Sequence, residues 1–103
     1  MSQIENHWSE ISHIEIELMR KMTALGIDWH DDVSMARLAS ECKVFGPADA
    51  DAAYTSKDRE KITKAELFAL ASLMLRAMES AAQEGRDVHA GEVWKSFGRH
   101  LYF

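Results

Sequence analysis

Five histidines, one cysteine and seventeen carboxylates bound the chemistry open to this 103-residue chain. Glu10-Ile-Ser-His13 has the Glu-x-x-His spacing that sets two metal ligands on one helix face, as in carboxylate-bridged di-metal bundles. Such a centre needs the motif twice, plus two more inward carboxylates, and no second Glu-x-x-His exists. Glu10 and His13 also lie opposite the apolar stripe of their segment, so a solvated face is the simpler reading.

Glu15 is the most informative single residue. Ile4, Trp8, Ile11, Leu18, Met22 and Leu25 alternate spacings of four and three, and Glu15 occupies the slot they skip. One reading puts it at the stripe's edge, paired with a base such as Lys21 or Arg76. The sharper reading is an inward carboxylate at a pocket or interface.

His30 and His89 occupy matching places in Gly26-Ile-Asp-Trp-His30 and Gly85-Arg-Asp-Val-His89. Together with Glu15, His30 or His89 would serve a small metal- or ligand-binding helical bundle or an enzyme subunit. A zinc site needs three or four ligands, and Cys42 is the only thiol. Cys42 falls on an apolar helix face and reads as an inert thiol. The repeated corner has a plain explanation: glycine ends one helix and aspartate begins the next. Asp49, Asp51 and Glu60 mimic positions one, three and twelve of a calcium loop, but Ala53 and Tyr54 stand at positions five and six, where a ligand and a glycine belong.

The elements that must position these residues are all helical. Thr63 to Gly85 is the centre: Thr63 and Glu66 form a capping box, and Gly85 supplies the stop. Between them, Leu73, Leu70, Met74, Leu67, Ala71, Leu75, Phe68 and their neighbours fill an arc of over ~200°, too wide for a single neighbour to cover. A first helix spans about residues 4–25 and ends at Gly26; a second spans about 32–43 and is broken by Gly46-Pro47. Residues 44–62 read as a linker, with room for a short turn of helix from Pro47 to about Tyr54. A last helix runs from about 88 to 101, capped by Asp87. No stretch alternates with period two. The expectation is therefore an all-α single domain, residues 1–103, with four helices in two αα-hairpins around the helix at 63–84.

The totals exclude more than they specify. The net charge is −5, with 4 basic and 8 acidic groups in residues 1–43 against 8 and 9 in the remainder. Without a basic cluster, neither nucleic acid nor an anionic membrane is an expected partner. Residues 33–47, VSMARLASECKVFGP, have the flavour of a first helix of a helix-turn-helix, but no basic recognition helix follows. No segment approaches the ~20 apolar residues of a membrane span, and the start of the chain lacks a secretory pattern, so a cytoplasmic location is expected. The stretch from Trp8 to Gly26-Ile27-Asp28-Trp29 resembles the N-terminal helical segment of nitrile hydratase β-subunits; it covers under a third of the chain, and no residue role is carried over from it.

What remains is a non-catalytic protein acting through protein–protein contact, with a partner or with itself, and with no cofactor. Trp8, Trp29, Tyr54, Trp94 and Phe103 are the interface candidates, since tryptophan and tyrosine are favoured in binding hot spots.

Overall fold

Carboxylates and one proline set the helix boundaries. The computed structural model describes residues 3–85 and 90–101, with side chains from Glu10 onward. Among the described residues are helices α1 (Gln3–Ala24), α2 (Asp32–Val44), α3 (Pro47–Ser56), α4 (Arg59–Gln83) and α5 (Glu92–Leu101). Asp31 caps α2, accepting from the Val33 N–H at 3.1 Å and the Ser34 hydroxyl at 2.8 Å. Pro47 opens α3, where a missing N–H costs nothing, and Asp49 reaches back to the Gly46 N–H at 2.8 Å. The expected linker is thus largely a helix, running two residues past Tyr54.

The central helix starts earlier than Thr63. Asp58 is its N-cap, accepting from Glu60 N–H at 2.9 Å and, more weakly, from Lys61 N–H at 3.4 Å. A carboxylate there also meets the positive end of the helix dipole. Thr63, read as the cap, instead donates its hydroxyl to the Arg59 carbonyl at 2.8 Å inside the helix. Between α3 and α4 the chain turns in two residues, Lys57 and Asp58, because Lys57 adopts the left-handed conformation (φ +60°). Gly26 and Gly85 take the same conformation without a side-chain penalty, and they end α1 and α4 as expected.

The all-α class stands, and α4 is where the packing concentrates. The pairs that lie together, however, are α1 with α4, α3 with α4 and α2 with α5, while α1 also touches α5. Apart from α3 with α4, which follow one another, the main pairs join helices distant in sequence, in place of the two expected hairpins. Length supplies a reason. At 1.5 Å per residue α4 is about 37 Å long; α1 is about 33 Å, whereas α2 and α5 are about 20 Å or less. Of the described helices α1 comes nearest to α4 in length, and so can cover most of one flank.

The resulting core joins Ile11, Ile14, Leu18 and Met22 of α1 to Leu67, Phe68, Ala71 and Met74 of α4. Met35, Leu38 and Ala39 of α2 meet Val93, Trp94 and Phe97 of α5 in the same cluster. Phe45, just after α2, packs edge-on against Phe68 at 4.9 Å between ring centres. Lys64 to Glu41 at 3.2 Å links α4 to α2, and Lys21 to Glu66 at 3.9 Å links α1 to α4.

The two aspects of the α4 start separate by mutation. Asp58→Ala is expected to lower unfolding free energy by about 1 kcal/mol, the usual cost of a lost N-cap. Thr63→Ala is expected to change it by less than about 0.5 kcal/mol, since it exchanges an in-helix hydroxyl for the best helix former. Urea denaturation of the two variants beside the parent checks both.

Candidate functional site

Glu15 is where sequence and structure diverge most usefully. Helix α5 begins at Glu92, and the Lys95 N–H bonded to the Gly91 carbonyl at 3.1 Å puts Gly91 in the N-cap position. Glycine has no side chain with which to cap. Glu15 supplies the acceptors from α1: Oε1 takes the Gly91 N–H at 2.6 Å and Oε2 takes the Trp94 N–H at 3.0 Å. Its partner is therefore neither Lys21 nor Arg76. It does for α5 what a local serine or aspartate would do, and it adds a negative charge at the positive end of the helix dipole. The cap also requires a glycine: a Cβ at residue 91 would sit 2.9 Å from both carboxylate oxygens.

His30 is exposed, its Nδ1 3.1 Å from the Asp28 carboxylate, whose oxygen also accepts the His30 N–H at 2.9 Å. That backbone hydrogen bond, ahead of the imidazole itself, holds the Asp28 carboxyl below its usual range. His89 lies outside the described residues. Glu15 is thus taken up by helix amides and His30 by its own turn. No group of three metal-ligating side chains forms among the described residues. Cys42 is half-buried, and burial pushes its thiol pKa up, away from the reactive thiolate.

At the other end of α5, His100 Nε2 and Arg99 Nη2 both reach Asp32 Oδ1, at 2.8 and 2.9 Å. The Asp32 carboxyl is held below its usual range, first by the His100 hydrogen bond and then by the neighbouring positive charges. The clasp ties the last turn of α5 to the first turn of α2.

The interface candidates separate by burial. Trp94 is core: it is 4% exposed and stacks edge-on to Phe97 at 6.0 Å. Trp29 packs partly against the core and lies 5.3 Å from the His30 ring. The Trp8 side chain and Phe103 lie outside what is described. Tyr54 is the one that faces outward, half exposed.

Tyr54 is not alone. With Leu70, Leu73 and Ala69 of α4 it lines a shallow, open groove whose other walls are Glu17 and Lys21 of α1 and Glu66 and Arg76 of α4. Leu73 is 38% exposed, although it belongs to the apolar arc of α4. The arc exceeds what α1 and α3 together cover, and Leu73 stands at its edge beside Arg76; that edge position was the signal available in the sequence. Tyr54 also lines an apolar cleft with Cys42, Phe45, Pro47 and Phe68, so it bridges two concavities on one side of the molecule.

Compared with protein-family models, with characterised proteins and with solved structures, the chain matches none. The functional reading therefore rests on the molecule's own geometry. No described helix is long and apolar enough to cross a membrane.

Two outcomes test this geometry. Glu15→Ala is expected to cost about 1.5–3 kcal/mol, the range for hydrogen bonds to a charged group. Gly91→Ala is expected to cost less in the Glu15→Ala background than in the parent, because the methyl then displaces no cap; a double-mutant cycle by denaturation measures the coupling. For Asp32, a lowered folded pKa means that its stabilisation is complete above the unfolded value of 3.8 and drains away as pH falls below it. Asp32→Asn should flatten that acid-side decline in a stability–pH profile.

Proposed function

We propose that this protein is a non-catalytic helical module that acts through protein–protein contact, using the face where α3, α4 and α1 meet. The observation that carries the reading is Tyr54 and Leu73 left accessible side by side in one groove, within a rim of charged residues. Apolar and aromatic anchors inside a polar rim are the ordinary anatomy of a recognition patch. The residues with the best claim to chemistry support the same view from the other side. Both Glu15 oxygens accept helix amides and the Asp28 carboxylate engages His30, so neither group is held ready for a substrate.

The metal- or ligand-binding alternative drew on Glu15 with His30 or His89. Among the described residues Glu15 is engaged by α5 and His30 by Asp28, while His89 lies outside them. A cytoplasmic location fits the reading and is part of the proposal.

Affinity capture from the native host, with the parent and with Tyr54→Asp and Leu73→Asp in parallel, is the direct test. Both sites are at least one-third exposed, so helical circular dichroism should be retained. Any specific partner held by the parent should be lost from both variants, by at least about tenfold for an anchor residue. A partner retained equally by the parent and both variants would place recognition elsewhere.

A further inference from the structure

The outer flank of α4 is symmetric in its spacing and antisymmetric in its charges and side-chain sizes. Glu66, Ala69, Leu73 and Arg76 follow at spacings of three, four and three, which places them on one stripe of the helix. Reversing the stripe about its midpoint, level with Ala71, exchanges Glu66 with Arg76 and Ala69 with Leu73. A second α4 laid antiparallel on the first would therefore oppose acid to base at both ends and large to small in the middle. Glu66, Ala69, Leu73 and Arg76 all line the open groove. Arg76 has no ion-pair partner among the described residues, while Glu66 is 3.9 Å from Lys21.

We propose that a second copy of this chain occupies this flank, antiparallel and related by a two-fold axis level with Ala71. The proposal rests on the protein-contact reading above and names its partner. Charge favours this occupant. Two chains of net charge −5 repel overall, so they can meet only where the local balance is even. The groove provides that balance, with Glu17 and Glu66 set against Lys21 and Arg76. A two-fold contact uses one self-complementary patch on both copies, which is what the stripe offers. Tyr54, beside the stripe on α3, then closes the edge of the contact, and Leu73 seats over Ala69 of the partner subunit.

Sedimentation equilibrium of the full chain, from about 1 µM to on the order of 0.5 mM, tests this at low salt, a range that spans micromolar to submillimolar self-affinity. The parent should be dimeric at the upper end. Arg76→Glu alone leaves an all-acidic stripe and Glu66→Arg alone an all-basic one. Each should weaken self-association about tenfold or more, because like charges then face each other twice. Mixing the two variants should restore association as a heterodimer, and Glu66→Arg/Arg76→Glu in one chain should restore the homodimer. Leu73→Asp should be monomeric throughout.

A parent that stays monomeric over the whole range overturns the self-pairing. So does a dimer that survives Leu73→Asp, or a mixture of charge variants that fails to associate. None of these results touches the broader reading, which falls only if capture of a different protein is indifferent to Tyr54 and Leu73.

Discussion

The start of α5 is anchored by a side chain of another helix, and that contact organises this molecule. The first turn of α5 carries backbone N–H groups that its own N-cap position, a glycine, cannot satisfy. Glu15 satisfies two of them from a helix 76 residues away in sequence. The bond does more than cap. It fixes the level at which α5 meets α1, and so delivers Val93, Trp94 and Phe97 to the core beside α2. The Asp32 clasp with Arg99 and His100 secures the other end, so α5 is held at both termini by carboxylates from other helices.

The second organising fact is an excess. Among the described residues of α4, one large apolar side chain of its arc, Leu73, stays 38% exposed. α1 covers one flank because it is long enough; α3 covers part of another, burying Ala53 and meeting the side of α4 that holds Ala65 and Phe68. α2 and α5 spend their apolar faces largely on each other. The remaining strip, with Leu73 at its centre and Tyr54 beside it, is neither core nor ordinary solvated surface. Its charges stand in opposed order along the helix, Glu66 towards one end and Arg76 towards the other.

The sequence by itself determined the helices and most of their inward faces. Period-3.6 spacing needs no tertiary knowledge, and the left-handed glycines at 26 and 85 end helices by local sterics alone. It also singled out Glu15 as a residue whose presence in an apolar stripe demanded an explanation. The start of α4 was misread because two local caps compete there, Asp58 and Thr63, and the carboxylate offers the helix dipole more than a hydroxyl does.

Only the tertiary structure decided what those residues are for. The partner of Glu15 is a pair of backbone amides, and backbone amides are the same at every position, so no pattern of side chains could reveal it. Which helices pair was also beyond local reading, since apolar stripes are mutually compatible and the choice turns on relative length and on the remote cap. Trp94 and Tyr54 look equally suited to an interface as letters; burial by neighbours contributed from distant helices put one in the core and left the other in a groove. Local conformation follows from a residue and its near neighbours, whereas exposure follows from everything that happens to pack beside it.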